Sequence, residues 1–145
     1  QTINLGFSGN ARMDKSMVEA IKRVDAEKYV IDCLPNCTQQ IIRDSGYYFM
    51  STLAASRPDV TIYMVENINF PDRLVNKRTD NDLVEKNQLW GELYKRLRKE
   101  GYKNIRYIPA DGLVGEDDEH SVDAAHLTDL GFLRMAEGLK KHLKR

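Results

Sequence analysis

The run VTIYMV at residues 60–65 is β-branched and nearly uncharged, and it is the most strand-like stretch of the chain. Working outward from it, short apolar runs alternate with longer segments of helical period. Upstream, residues 38–57 carry Ile42, Gly46, Phe49 and Leu53 on one face of an expected helix. Before that, YVIDCLP at residues 29–35 reads as a short strand that Pro35 ends. DKSMVEAIKRVD at residues 14–25 places Met17, Ala20, Ile21 and Val24 at helical spacing, and INLGFS at residues 3–8 reads as another strand. Downstream, residues 66–79 form a long polar connection, of a kind that often carries function. A helix follows over residues 80–100, with Leu83, Trp90, Leu93, Tyr94 and Leu97 on one side and Gly101 as its stop. IRYIPA at residues 105–110 is a fourth expected strand, and residues 111–127 are a second polar loop. The last helix runs over residues 128–143, capped by Thr128, with Phe132, Ala136, Leu139 and Leu143 expected to face inward and cations crowding its carboxyl end.

Four alternations of strand and helix argue for an α/β domain over residues 1–145, a parallel sheet with helices on both faces. In such sheets ligands meet the carboxyl ends of the strands. Three polar segments fall there: SGN at 8–10, PNCT at 35–38, and the loop around His126.

The bulk composition sets bounds. The 145 residues can bury a core without a disulfide. Lys plus Arg and Asp plus Glu balance at 22 each, which argues against nonspecific attraction to nucleic acid or an anionic membrane. No apolar run reaches the roughly 18 residues of a membrane helix. The opening QTINLGFSGN lacks the basic and apolar regions of a signal peptide, and it begins with Gln. The expectation is a chain processed, trimmed or cut from something longer. Cys33 and Cys37 have no histidine pair beside them and make a poor zinc site. A disulfide across Pro35 would be strained, so both are expected as free, buried thiols.

Asp123 and His126 have the residue types of a hydrolytic base. A carboxylate bonded to Nδ1–H fixes the imidazole tautomer and stabilises the imidazolium. Asp-x-x-His alone is common, and a solvated Asp beside a partly packed His is its ordinary reading. Gly9 and Asn36 each follow an expected strand. A glycine permits a sharp turn with its N–H aimed at the site, and an Asn amide is a suitable donor to an oxyanion. Taken singly, they also read as a turn glycine and a capping Asn.

Together NLGFSGN at 4–10, DCLPN at 32–36 and VDAAHLTDLGF at 122–132 resemble the SGNH (GDSL-type) esterase and acylhydrolase family. The likeness is strongest to a branch with the segments Asn-Leu-Gly-Phe-Ser-Gly-Asn, Asp-x-x-x-Asn and Asp-Gly-x-His-Pro-x-Asp-Leu-Gly-Phe. The resemblance implies a flavodoxin-like three-layer α/β/α fold and cleavage of small esters, often acetyl or acyl groups on carbohydrates or lipids, with no metal or other cofactor. It implies His126 as general base, Asp123 as its orienting carboxylate, and Gly9 and Asn36 as the oxyanion hole. Ala124 and Leu127 stand where the family has Gly and Pro; neither position supplies chemistry. The family's nucleophilic serine precedes all these segments. The chain has no matching Gly-Asp-Ser or Gly-Ser-Ser run, so its first strand and nucleophile are expected upstream, with the sheet edges left open to association. Ser8 is a weak substitute, because GFSGN is not the Gly-x-Ser-x-Gly elbow.

Two other classes remain open: a noncatalytic binding or interaction module on an esterase-like scaffold, and a flavodoxin-like domain holding a small anion at GFSGNAR, a weak cradle. The remaining features read plainly. GEDDEHSVD at 115–123 lacks the ligand alternation of a calcium loop and reads as solvated. His120 is expected at the surface, Asp32 in a local hydrogen bond, Trp90 and Tyr94 in the core or a groove, and residues 69–78 on a substrate rim. The resemblance leans weakly to an exported bacterial protein.

Overall fold

The computed structural model describes residues 2–143, with Leu74 described by its backbone only. Strand β1 spans Lys28–Ile31, β2 Thr61–Val65 and β3 Ile105–Ile108. They form one parallel sheet in the order β1-β2-β3, with Tyr29 opposite Ile62 and Ile62 opposite Ile105. The helices are α1 Lys15–Ile21, α2 Gln39–Ser56, α3 Lys77–Lys99 and α4 Asp129–Leu143.

The two parities of β2 explain the layering. Ile62 and Met64 point into a core shared with Val18, Leu53, Trp90 and Leu97, all fully buried. Tyr63 and Val65 point the other way, into a smaller core with Ile108, Leu113, Val114 and Met135. Helices α1, α2 and α3 therefore cover one face and α4 the other. A strand buried on both faces needs apolar residues at every position, which is what VTIYMV supplies. The fold is the flavodoxin-like three-layer α/β/α arrangement with a parallel sheet.

Local chemistry sets the helix ends. Thr38 caps α2 by accepting from the Ile41 N–H, and Asn76 caps α3 by accepting from the Thr79 N–H. The inward face of α2 is Ile42, Gly46, Phe49 and Leu53, as the spacing predicts. On α3, Leu83, Trp90, Leu93 and Leu97 are buried. This helix starts at Lys77, earlier than its apolar period, and is preceded by a 3-10 turn at Pro71–Leu74.

Several expectations are corrected. Residues 3–8 form no strand. They run as coil into a 3-10 turn at Phe7–Gly9, where Phe7, Ser8 and Gly9 all have positive φ. No strand lies beside this segment among the described residues, and an extended run without a partner has no ladder to hold it. Ile3, Leu5 and Phe7 remain exposed. On α4 the buried residues are Gly131, Met135 and Gly138, and Leu139 and Leu143 pack partly buried against the smaller core as expected, while Phe132 is 62% exposed and Ala136 is exposed. The glycines decide this. A Cβ on Gly131 would stand 2.3 Å from the His120 carbonyl oxygen, and one on Gly138 2.9 Å from Leu113 Cδ2. The helix packs through its small residues, and that turns Phe132 outward. On α1, Val18 is the buried residue, with Met17 and Ile21 only partly covered. The helix stops before Val24.

Cys33 and Cys37 are free and buried at the two sides of a 3-10 turn at Leu34–Asn36. Cys37 Sγ donates to the Ala11 carbonyl at 3.7 Å. The neighbouring Cys33 thiol holds Cys37 below the usual thiol range, helped by Lys86 and Arg12, and the same proximity, with burial, pushes Cys33 up.

Leu53 is fully buried, and Val75 is 88% exposed. Leu53→Ala is predicted to cost about 2–5 kcal/mol in urea unfolding, through lost transfer energy and a residual cavity. Val75→Ala is predicted to stay within about 0.5 kcal/mol of the parent.

Candidate active site

Parallel pairing brings the carboxyl ends of all three strands to one edge. The segment after β1 carries Asn36, the segment after β2 begins with Glu66 and Asn67, and the segment after β3 leads to Asp123 and His126. Glu66 ties two of these together. Its carboxylate accepts from the Ala110 N–H at 2.8 Å and from the Tyr107 hydroxyl at 2.6 Å. Burial, with Glu66 beside it, pushes the Tyr107 hydroxyl far above the usual tyrosine range. Asn67 is buried and clamped to α3: its N–H donates to Asn87 Oδ1 at 2.8 Å, and Asn87 Nδ2 donates back to the Asn67 carbonyl at 2.9 Å.

Asp123 and His126 form a pair. His126 Nδ1 lies 2.7 Å from Asp123 Oδ2. Asp123 Oδ1 accepts from the backbone N–H groups of His126 at 2.7 Å and Ala125 at 3.0 Å. This turn requires a left-handed residue at position 124, and Ala124 adopts φ of 61°. A glycine would take that conformation without the steric cost of roughly 1–2 kcal/mol that an L side chain meets there. The His126 N–H, the His126 ring and the Ala125 N–H hold the Asp123 carboxyl far below the usual carboxylate range. Asp123 is therefore an acceptor, so His126 Nδ1 carries the proton that it donates. The His126 side chain is 88% exposed, and Nε2 has no hydrogen bond among the described residues.

Gly9 and Asn36 also come together. A Cβ on Gly9, whose φ is 82°, would lie 3.8 Å from Asn36 Oδ1. The Asn36 backbone N–H is used by the Cys33 carbonyl at 3.0 Å, while its half-buried side-chain amide has no partner among the described residues. No hydrogen bond joins this pair to Asp123 and His126. Ser8 sits in a left-handed conformation, exposed, and bonds to neither His126 nor Asp123. Among the described residues no group of three or more His, Cys, Asp or Glu side chains is placed to hold a metal ion. No helix among them is long and apolar enough to cross a membrane.

The sequence reading missed the supports. His120 is not at the surface: it is 1% exposed, and its Nε2 lies 2.8 Å from the Asn69 carbonyl. Asp32 makes no side-chain hydrogen bond among the described residues. Part of its surface reaches solvent, yet the protein crowded around its carboxyl pushes it up to about 6. Arg134 pairs with Asp117 and bonds the Val114 carbonyl, which orders part of the acidic loop. Trp90 is core.

The family model for GDSL-like lipases and acylhydrolases matches residues 1–144. The chain belongs to this family. A Bacteroides ovatus crystal structure named for a GDSL-like lipase is 31% identical with a TM-score of 0.89, and the match covers 94% of this chain and 40% of that one. A Streptococcus pneumoniae structure named for platelet activating factor is 15% identical with a TM-score of 0.59, covering 83% of this chain and 61% of that one, a likeness of fold. The chain thus spans less than half the length of the Bacteroides relative. No curated protein matches the sequence.

The two aspartates should titrate in opposite directions. Asp32 is predicted to show a carboxyl 13C midpoint of about 6, and Asp123 one well below the ordinary 3.8. Because the folded pKa of Asp32 is raised, its contribution to stability is full below about 3.9, the unfolded value, and is lost as pH rises through about 6. Asp32→Asn should flatten that slope in urea titrations. The Asp123 contribution runs the other way, present above the unfolded value and lost as pH falls below it.

Proposed function

We propose that this chain supplies the base and the oxyanion hole of a serine-type ester hydrolase. The observation that carries the reading is the Asp123–His126 pair, with Nδ1 held at 2.7 Å and Nε2 free, at the sheet edge that also bears Gly9 beside Asn36. Family membership and the Bacteroides relative support it. The nucleophile is a serine outside these 145 residues, on a segment lying along the open edge of β1 and covering Ile3, Leu5 and Phe7.

In this mechanism the serine Oγ attacks the acyl carbonyl while His126 Nε2 takes its proton. Asp123 holds the ring in the reactive tautomer and stabilises the imidazolium. The Gly9 N–H and the Asn36 amide donate to the tetrahedral oxyanion. Collapse expels the alkoxide, which receives the proton from His126, and water then releases the acyl group by the same steps. Acetyl or other small acyl groups on carbohydrate are the proposed substrates, on the resemblance alone. The alternative is a noncatalytic binding or interaction module on an esterase-like scaffold; in its favour, Ser8 is exposed and bonds to neither His126 nor Asp123.

Ester hydrolysis by the polypeptide that includes the preceding segment separates the two. Asn36→Ala is predicted to lower kcat by about 10²- to 10³-fold, the usual loss for one oxyanion donor. His126→Ala should lower it further, with the fold intact by circular dichroism. Turnover unchanged in both variants, or absent from the parent, would remove the esterase reading.

A further inference from the structure

We propose that His120 is a positioning residue for the Asp123–His126 pair, a role that rests on reading His126 as the base. From residue 115 to residue 130 His120 is the only buried position. The pair's internal geometry is local, made within one turn by Asp123 and the backbone of residues 125 and 126. Nothing in that turn fixes where the pair stands relative to the sheet. His120 does so through both its side chain and its backbone.

Its ring reaches inward to the segment after β2, and a carbonyl can only accept, so Nε2 carries the proton donated to Asn69. Asn69 follows Asn67, which is clamped to α3 through Asn87. The loop is thereby tied to the segment after β2, whose Asn67 and Ile68 are buried. The His120 carbonyl accepts from the Thr128 N–H at 2.8 Å, and Ser121 and Leu127 form an antiparallel bridge. Residues 121–127 are thus a closed loop with the pair at its tip and His120 at its root. Thr128 Oγ bonds the Glu119 carbonyl and accepts from the Gly131 N–H, and Gly131 has no Cβ to press on the His120 carbonyl. Leu127 adds a partly buried contact with the smaller core. The other ring nitrogen, Nδ1, is buried without a partner among the described residues. A side chain chosen only for packing would not leave a polar atom there, since such an atom is costly to bury unbonded. The bond to Asn69 is what the residue supplies.

The test compares His120→Leu, which fills the space but cannot donate, with His120→Gln, whose amide can donate to the Asn69 carbonyl. In this chain, amide hydrogen exchange at residues 121–128 should accelerate about tenfold in the Leu variant, and stay near the parent in the Gln variant. Exchange in the core strands should be unchanged in both. In the polypeptide carrying the nucleophile, the Leu variant should lose about 10²-fold in kcat with KM unchanged, and the Gln variant should recover most of it. If His120→Leu does not fold, His120→Asn, polar but too short to reach Asn69, takes its place. Parent-like exchange and kcat in the non-donating variant would overturn the proposal, as would equal loss in the Gln variant. A parent without esterase activity would sink the reading of His126 as base, and the exchange comparison would still decide whether His120 holds the loop.

Discussion

Parallel pairing of β2 with both its neighbours is the constraint on which the rest depends. It buries VTIYMV on two faces, so α1, α2 and α3 must cover one side and α4 the other. It also sends every strand in the same direction, so each strand-to-helix connection on the carboxyl side opens at one edge. Residues 36, 67 and 123–126, far apart in the chain, are candidates for a single site because of that geometry.

The edge is organised by polar groups that are buried, as Asn67 and His120 are, or half-buried, as Glu66 and Asn87 are. Glu66 joins the ends of β2 and β3, Asn67 and Asn87 exchange two hydrogen bonds, and His120 ties the acidic loop to Asn69. Buried polar groups of this kind are costly when unpaired and specific when paired. They allow a loop with only one buried side chain over residues 115–130 to hold a defined course. The Asp123–His126 pair can then remain exposed, because its support lies beneath it.

Much of this was legible in the residues. VTIYMV named the central strand, the period of Ile42, Gly46, Phe49 and Leu53 named the face of α2, and the three-residue spacing of Asp123 and His126 suited the turn that joins them. The failures share a physical cause: each depended on a neighbour that the local sequence does not specify. INLGFS has strand composition, but a strand exists only when paired, and no partner lies beside it among the described residues. Phe132 has the right period to face inward, yet Gly131 and Gly138 let α4 approach more closely along another stripe. His120 sits in an acidic run that reads as solvated. Its burial follows from the distant Asn69 carbonyl, 51 residues away.

The central claim is that the chain carries a base and an oxyanion hole for a serine it does not contain. The most direct measurement is labelling with a fluorophosphonate, followed by peptide mapping. It compares the 145-residue chain with a version extended upstream by one strand–helix unit, roughly 30 residues. The account predicts no label on the chain itself and one labelled serine in the added segment, abolished by His126→Ala. Label on Ser8 of the shorter chain would contradict it, and no label on either would favour the noncatalytic module.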